Sequence, residues 1–237
     1  MTKRNEILLP GTIKQSEIFS VSIDISGKTI LIVGAGSEQT AVDFSEKAEK
    51  IYLIVEEQDS LVQTRYNLSK MPGIQVRMMD FSNTDFKPGT FDIIYAQASV
   101  SNPNRNKIIK EIRRILKPGG IFCVGEIVNL SKKIPPYIKD VWESSGISSM
   151  YTEEMEKYYL DKRFKILKTD DLSFTLKEFY SKMKNKIKSQ INNLPQNEKL
   201  THKKLLNRIT HESDVYLNLG GSSVMGFKML ILQKEDN

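Results

Sequence analysis

Short apolar runs alternate with stretches of helical apolar spacing along the first half of the chain. Residues 28–33 form a β-prone run that ends in Gly34-Ala35-Gly36, and residues 41–48 repeat apolar side chains every three or four positions. Residues 51–55 are continuously apolar, as expected of a strand that is buried on both faces of a parallel sheet. This succession of strand, turn, helix and strand predicts a βαβ unit.

The same alternation continues to residue 128. Further strands are predicted at 74–78, 91–96 and 121–128, with helices at 61–68 and 106–116 between them. The sequence Lys117-Pro118-Gly119-Gly120 ends the second of these helices. Strands and helices that alternate at this spacing predict an α/β fold with a doubly wound parallel sheet.

The second half of the chain is less regular. Residues 131–151 contain two adjacent prolines and a serine-rich stretch, which predict an irregular insertion over one edge of the sheet. A helix is predicted from Thr152, as its N-cap, to residue 160, followed by a strand at 164–167. Two amphipathic helices at 176–191 and 199–209, separated by residues 192–195, precede a last strand at 226–232.

Composition limits the class of protein. The 237 residues are 39% hydrophobic and 27% charged, which are ordinary values for one folded domain. The longest uninterrupted apolar stretch, residues 51–55, is far shorter than the ~20 residues of a membrane span. No apolar signal-peptide region follows the charged N terminus, so we expect a cytoplasmic protein. The single cysteine, Cys123, lies in an apolar run and is expected to be buried.

The formal charge of +6 arises largely from one segment. Basic residues concentrate between residues 175 and 211, where only Glu178 and Glu198 oppose them. Apart from Phe179 and Tyr180, aromatic residues do not alternate with these lysines as a nucleic-acid stacking surface requires. We interpret the lysines as solvated helix faces and do not expect a nucleic-acid partner.

A cofactor site is predicted at the carboxyl end of the first strand. Gly34 and Gly36 allow a tight turn and a close approach of the backbone to a nucleotide-like ligand. About twenty residues further on, Glu56 or its neighbour Glu57 closes the second strand, where a carboxylate can accept hydrogen bonds from both ribose hydroxyls. A dinucleotide-dependent oxidoreductase would share these features, but it needs a third glycine or alanine where this chain has Gln39.

Several short motifs follow one another in a fixed order between residues 28 and 128. They are Gly34-Ala35-Gly36, Glu56, Asp80-Phe81, Phe91-Asp92-Ile93-Ile94 and Arg113-Arg114-Ile115-Leu116-Lys117-Pro118-Gly119-Gly120. In this order they resemble the class I S-adenosylmethionine (SAM) dependent methyltransferases, especially the branch that acts on small molecules. The resemblance implies a Rossmann-like, seven-stranded methyltransferase sheet with an antiparallel last strand and a helical lid. It also implies SAM as cofactor and S-adenosylhomocysteine as product.

The resemblance assigns individual cofactor contacts as well. Asp80 would hydrogen-bond the adenine amino group, and Phe81 would flank the ring through its backbone. Ala96 and Gln97 would lie beside the methionine moiety, whereas Asp92 is expected to be structural. Altogether the expected cofactor-binding residues are Gly34, Ala35, Gly36, Ser37, Glu56, Glu57, Asp80, Phe81, Ala96 and Gln97.

Two positions depart from the family pattern. Ile32 stands where an acid usually precedes the first glycine, and Glu38 stands where a third glycine usually lies. The missing acid weakens the predicted grip on the amino-acid end of SAM, and Glu38 is interpreted as favourable to the helix dipole. A catalytically degenerate, SAM-binding regulatory homologue therefore stays open as an alternative.

Methyl transfer from a sulfonium is an in-line displacement, so positioning supplies most of the catalysis and few catalytic residues are needed. His211 and Tyr216 are the candidate catalytic residues. Substrate contacts are expected from aromatic residues that precede the later strands, namely Trp142, Tyr151 and Tyr216. Neither histidine has metal-ligand spacing to cysteines or carboxylates, and no metal is predicted.

The methyl acceptor is expected to be a small molecule. Residues 96–99 lack the Asn/Asp-Pro-Pro-aromatic sequence of adenine-directed methyltransferases, and an RNA methyltransferase that uses the basic helices is kept as a further alternative. We predict one domain over residues 1–237, in a monomer or homodimer. Its parts are an N-terminal segment (1–27), a cofactor-binding core (28–128) and two lid insertions (129–160 and 174–222).

Overall fold

The computed structural model describes residues 7–193 and 196–235. Within these ranges the side chains are described as well, except those of residues 190–205. The strands are β1 (Thr29–Val33), β2 (Lys50–Val55), β3 (Ile74–Met78), β4 (Phe91–Gln97), β5 (Leu116–Asn129), β6 (Met150–Tyr151), β7 (Phe164–Asp171) and β8 (Met225–Lys234). The α-helices are α1 (Thr12–Ser22), α2 (Glu38–Ser45), α3 (Gln58–Asn67), α4 (Arg105–Ile115), α5 (Pro136–Ser144), α6 (Glu154–Asp161), α7 (Leu176–Asn193) and α8 (Gln196–Asn218). Two 3₁₀-helices span Ser173–Thr175 and Gly221–Ser223.

The described strands form one sheet in the order β3-β2-β1-β4-β5-β8-β7, with β6 paired to the end of β5. The strands β1 to β5 pair in parallel, and β8 runs antiparallel to both β5 and β7. This confirms the predicted doubly wound sheet with an antiparallel last strand. The sheet also contains β6, which lies where an irregular segment was predicted, so that prediction was wrong at Met150 and Tyr151.

Alternate residues of the central strands face two apolar cores, one on each side of the sheet. In β1, Ile30 and Ile32 belong to the core that contains Phe44, whereas Leu31 belongs to the core that contains Ile112. Helices therefore cover both faces, which explains why the parallel strands are apolar throughout. Burial of each such side chain stabilises the fold by about 1.5–3 kcal/mol.

The helix α1 lies in the N-terminal segment, for which no element was predicted. Its buried positions are Thr12, Gln15, Ser16 and Phe19, so three of the four are polar. The Gln15 Nε2 atom donates to the carbonyl of Ala96 at 3.1 Å. Because α1 packs against the rest of the protein largely through polar side chains, its sequence lacks the regular apolar spacing that predicts an amphipathic helix.

Two further helices differ from the prediction. The helix α5 occupies part of the segment 131–151 that was expected to be irregular, and Pro136 stands in its first turn, where a proline is tolerated. The helix α6 begins at Glu154 and has no side-chain cap hydrogen bond, so the predicted N-cap role of Thr152 was wrong. In the predicted connection between α7 and α8, residues 194–195 lie outside the described residues.

Two expectations about single residues are confirmed. Asp92 is structural, because it accepts hydrogen bonds from the backbone of Thr29 at 3.0 Å and from Lys117 Nζ at 2.7 Å. Cys123 is fully buried in the core, and burial raises the pKa of its thiol. Within residues 7–193 and 196–235, none of the helices combines the length and the apolar character that a bilayer crossing requires.

Candidate functional site

The loop after β1 has a backbone that only glycine adopts without strain. Gly34 has φ +114° and Gly36 has φ +82°. A Cβ placed on Gly34 would lie 2.7 Å from the Cβ of Ser99, and one placed on Gly36 would lie 3.2 Å from Leu9. The two glycines therefore permit both the turn and the close packing of the loop against its neighbours.

A cavity of about 240 Å³, here named the loop cavity, opens beside Gly34, whereas Gly36 lines the neighbouring cavity described below. It lies at the carboxyl ends of β1, β2 and β4, where parallel α/β sheets bind their ligands. Six of the ten expected cofactor-binding residues line it. They are Gly34, Ala35, Glu56, Glu57, Phe81 and Gln97, together with Leu9, Ser60, Ala98 and Ser99.

The carboxylate at the end of β2 is held in place by the chain that follows β3. The Oε1 atom of Glu56 accepts a hydrogen bond from the backbone N–H of Phe81 at 3.1 Å. Both residues line the loop cavity, and Glu56 is exposed to it. The geometry leaves the second carboxylate oxygen of Glu56 as an acceptor for a bound ligand.

Asp80 lies next to this pair but is oriented differently. Its Oδ1 atom accepts hydrogen bonds from the hydroxyl and the backbone N–H of Ser82, both at 2.7 Å. These bonds, the hydroxyl first, lower the pKa of the Asp80 carboxyl. Asp80 is exposed and is not among the residues that line the loop cavity, and both bonds from Ser82 leave its Oδ2 atom as an acceptor.

Gln97 connects the cavity to the N-terminal segment, a role that the sequence did not suggest. Its Nε2 atom donates to the carbonyls of Pro10 and Thr12, both at 2.8 Å, and its Oε1 atom accepts from the Tyr95 hydroxyl at 2.9 Å. These contacts bring Leu9 over the glycine loop. The neighbouring Ala96 is fully buried and does not line the cavity.

The start of α2 carries the remaining loop residues. Ser37 is fully buried, and its hydroxyl has no hydrogen-bond partner among the described residues. Glu38 stands in the first turn, as expected, and also accepts hydrogen bonds from the Thr64 hydroxyl at 2.9 Å and from Asn67 at 3.5 Å. Glu38 therefore joins α2 to α3, while Ile32 is buried in the core.

A second cavity of about 780 Å³, here named the α3 cavity, lies beside the loop cavity and shares Ala35 and Ser60 with it. One wall is the polar face of α3, and α7 contributes Met183 and Lys186. Ligand pockets usually measure about 300–1,000 Å³, which the loop cavity alone does not reach. The two neighbouring cavities together offer enough space for a nucleoside-sized ligand and a second molecule.

The expected substrate residues lie elsewhere in the lid. Trp142 is buried and lines a third cavity of about 380 Å³, here named the α5 cavity, and its Nε1 atom has no partner among the described residues. Tyr151 is half-buried, with Lys132 Nζ 5.3 Å from its ring. Tyr216 is buried and stacks on Tyr180 with ring centroids 4.6 Å apart.

The candidate catalytic residue His211 is exposed on α8. Of the described residues that line the loop cavity, none is His211, Trp142, Tyr151 or Tyr216. The structure thus groups most of the expected cofactor residues and keeps the lid residues apart from them. Among the described residues, no three His, Cys, Asp or Glu side chains are grouped so that they could hold a metal ion.

Residues 31–124 match the family model of a methyltransferase domain. The sterol 24-C-methyltransferase of Eremothecium gossypii is 37% identical over 100 residues, which cover 39% of this chain and 27% of that protein. The sterol 24-C-methyltransferase of Yarrowia lipolytica is 30% identical over 140 residues, which cover 54% of this chain and 37% of that protein. The chain thus matches 27% and 37% of the length of these two relatives.

Solved structures share the fold over nearly the whole chain. The cyclase SpnF has a TM-score of 0.78 at 18% identity, covering 94% of this chain and 81% of that chain. A phosphoethanolamine N-methyltransferase 2 of Haemonchus contortus, solved with S-adenosyl-L-methionine, has a TM-score of 0.76 at 15% identity, covering 96% of this chain and 54% of that chain. At these identities the likeness concerns the fold alone, and a fold hosts more than one reaction.

Proposed function

We propose that the chain transfers a methyl group from SAM to a small-molecule acceptor. Its residues 31–124 match a domain of the class I SAM-dependent methyltransferase family. The observation that carries the proposal is the meeting of the left-handed glycine loop and Glu56 in one cavity. A glycine loop by itself does not indicate a cofactor, because glycines occur in many tight turns. A glycine loop that faces a fixed carboxylate at the end of the next strand suits a ribose.

The residues at the loop cavity and at the start of α2 fit SAM. Glu56 would accept the ribose hydroxyls through the oxygen that Phe81 leaves open. Gly34 and Gly36 let the backbone approach the methionine part, which would extend from the loop cavity toward the start of α2. The buried hydroxyl of Ser37, which lacks a partner among the described atoms, is a further polar group at this end of the site.

The proposed reaction is an in-line displacement. SAM supplies a methyl group on a positively charged sulfur; the bond from methyl carbon to acceptor forms as the carbon–sulfur bond breaks, and the electron pair stays on the sulfur of S-adenosylhomocysteine. A protonated acceptor also has to lose a proton, for which His211 and Tyr216 are the proposed candidates. The remaining work of the site is to hold two molecules in line and to exclude water.

A small acceptor is favoured over RNA by the ion pairs of two lysines on α7. Lys184 pairs with Asp214, and Lys182 pairs with Glu178, so these lysines are engaged within the protein. Trp142, Tyr151 and Tyr216 remain the proposed acceptor contacts. The chain is proposed to act in the cytoplasm, as a monomer or homodimer and without a metal.

Calorimetric titration with SAM, S-adenosylhomocysteine and NAD tests the cofactor assignment. We expect both sulfur compounds to bind and NAD to give no heat of binding. The absence of binding by both SAM and S-adenosylhomocysteine would refute the proposal. Binding of NAD that SAM displaces poorly would point instead to an oxidoreductase.

Release of S-adenosylhomocysteine, measured with a small-metabolite extract and separately with total RNA, tests the acceptor class. We expect release with the metabolite extract only. Release that requires RNA would favour the RNA methyltransferase alternative. Firm SAM binding without release from either mixture would favour a regulatory homologue, for which Ile32 and Glu38, in place of the expected acid and glycine, are the motivating features.

A further inference from the structure

Four residues that line the loop cavity each follow a different strand of the parallel sheet. In the order of the strands in the sheet they are Phe81 after β3, Glu56 after β2, Gly34 after β1 and Ser99 after β4. Neighbouring strands lie about 4.8 Å apart, so the ends of β2 and β4, with β1 between them, are about 10 Å apart. A long ligand can therefore extend across the ends of all four strands.

The proposed position of the ribose at Glu56 sets the direction of such a ligand. On the β3 side the cavity offers the buried aromatic ring of Phe81, which suits the flat face of a base. The methionine part of SAM then lies toward β1 and β4. Among the described residues that line the loop cavity none is a lysine or arginine, whereas Glu56 and Glu57 both line it, so the cavity favours a cationic ligand.

The ammonium group of the methionine part needs hydrogen-bond acceptors at the β1 and β4 side of the cavity. Ile32, which stands where an acid was expected, is fully buried in the core. Gln97 is 2% exposed, and its side-chain amide is engaged with the carbonyls of Pro10 and Thr12 and with the hydroxyl of Tyr95. The side chains of Ile32 and Gln97 are thus turned to the protein interior.

Ser99 supplies the acceptor at this side of the cavity. Its hydroxyl donates to the carbonyl of Val33 at 2.6 Å, and among the described residues none donates a hydrogen bond to it. A hydroxyl has one hydrogen and two lone pairs. Because the hydrogen is committed to Val33, the Ser99 hydroxyl offers a ligand only lone pairs, which match an ammonium group because that group can only donate.

The backbone at the end of β4 holds Ser99 in this position. Ala98 has φ +60°, in the left-handed region that an alanine adopts only with strain. This turn packs Ser99 against the glycine loop, since a Cβ placed on Gly34 would lie 2.7 Å from the Cβ of Ser99. The side chain of Asn102 donates to the carbonyl of Ser99 at 3.2 Å. Strained residues that the surrounding structure holds in place occur preferentially at ligand sites.

We infer that the Ser99 hydroxyl accepts a hydrogen bond from the α-ammonium group of SAM and takes the place of the acid that is missing at Ile32. The inference rests on the proposed binding of SAM and adds a residue that was not among the expected cofactor contacts. Ser99 would fix the methionine end of the cofactor as Glu56 would fix its ribose, so that the methyl group is held in one position.

Calorimetric titration with two matched ligands tests the inference. One ligand is S-adenosylhomocysteine, and the other is its deamino analogue, in which a hydrogen atom replaces the ammonium group. We expect the unchanged protein to bind S-adenosylhomocysteine about tenfold or more tightly than the analogue, because a hydrogen bond from a charged donor is lost in the analogue. Ser99→Ala should weaken the binding of S-adenosylhomocysteine about tenfold and change that of the analogue much less.

Ser60→Ala is the matched control, because Ser60 lines the same cavity from α3, next to the end of β2. Any change in affinity that it causes should be equal for the two ligands. Ser99→Cys keeps nearly the size of the side chain but has a weaker acceptor, so its preference for the ammonium group should lie between those of the unchanged protein and Ser99→Ala. Thermal denaturation verifies that each variant is folded, and Ser99→Cys carries the comparison if Ser99→Ala does not fold.

Two results would overturn the inference and leave the proposed function intact. The first is equal affinity of the unchanged protein for S-adenosylhomocysteine and its deamino analogue. The second is a loss of affinity in Ser99→Ala by the same factor for both ligands, because Ser99 would then act only by holding the Val33 carbonyl and the glycine loop. The absence of binding by SAM, S-adenosylhomocysteine and the analogue would instead refute the proposed function, and the inference with it.

Discussion

Glu56 and Phe81 are joined by a hydrogen bond of 3.1 Å from the backbone N–H of Phe81 to the carboxylate of Glu56, although 25 positions separate them in the chain. This bond fixes the side chain at the end of β2 against the segment that follows β3. We predict that Glu56→Ala weakens SAM binding roughly ten- to hundredfold, because a hydrogen bond to a charged group contributes about 1.5–3 kcal/mol. Calorimetric titration measures the change.

The control for this prediction is Glu49→Ala. Glu49 is an exposed carboxylate just before the start of β2, at the opposite end of that strand. Its removal should leave the SAM affinity unchanged. Equal affinities for Glu56→Ala and the unchanged protein would show that the carboxylate does not contact the ribose.

Gly34 gives a prediction about both stability and binding. Alanine at this position would have to adopt φ +114° with its Cβ 2.7 Å from the Cβ of Ser99. We expect Gly34→Ala to lower the free energy of unfolding by about 1–3 kcal/mol, the usual cost of a strained residue, and to impair SAM binding. Thermal denaturation and calorimetry measure the two effects.

Gly73→Ala is the matched glycine control. A Cβ at Gly73 meets no atom within 4 Å, and its φ is not in the left-handed region. This variant should keep its melting temperature and its SAM affinity. If the two alanine variants behaved alike, the backbone of the glycine loop would not have the importance assigned to it.

The parallel core was predictable because its signals are local. Residues 51–55 form a continuous apolar run, and Gly34-Ala35-Gly36 follows directly on the first strand. The position of Glu56 at the end of the next strand then follows from parallel topology alone. Six of the expected cofactor residues consequently meet at the loop cavity.

The parts that the sequence did not predict depend on contacts between distant segments. Gln97 binds Pro10 and Thr12, more than eighty positions earlier, and nothing in the local sequence indicates that partner. The helix α1 buries Gln15 and Ser16, so it has no apolar stripe. The strand β6 has two residues, too few for an alternating pattern.

A buried ion pair gives a prediction about stability. The side chain of Glu126 is fully buried and accepts hydrogen bonds from Arg105 Nε at 2.7 Å, from the Ser101 hydroxyl at 3.2 Å and from the Tyr159 hydroxyl. Burial, and then the nearby charge of Glu126, raise the pKa of Tyr159, which therefore stays protonated. We expect Glu126→Gln to lower the free energy of unfolding by about 3–5 kcal/mol, because Arg105 would be left as an unpaired, largely buried cation.

Urea denaturation of a control variant and of a double-mutant cycle separates this effect from a general loss of side chains. Asp85→Asn breaks the exposed pair with Arg77 and should cost less than about 1 kcal/mol. Arg105→Met/Glu126→Leu replaces both buried charges and should cost less than the sum of the single variants Arg105→Met and Glu126→Leu. Additive losses in the double variant would contradict the proposed coupling of Arg105 and Glu126.

Asp92 gives a prediction about pH. Burial alone would raise the pKa of its carboxyl, but hydrogen bonds from Lys117 and from the backbone of Thr29, together with the positive charge of Lys117, outweigh burial and lower the pKa. An acid with a lowered folded-state pKa stabilises the fold above its unfolded pKa of about 3.9, and this contribution is lost as the pH falls through the folded-state value. The stability difference between the unchanged protein and Asp92→Asn should therefore be constant near neutral pH and shrink below about pH 4. Urea denaturation at pH values from neutral to below 4 measures this difference. In a Lys117→Met background the difference should depend less on pH. A stability difference that is equally large at both ends of the pH range would contradict the assignment.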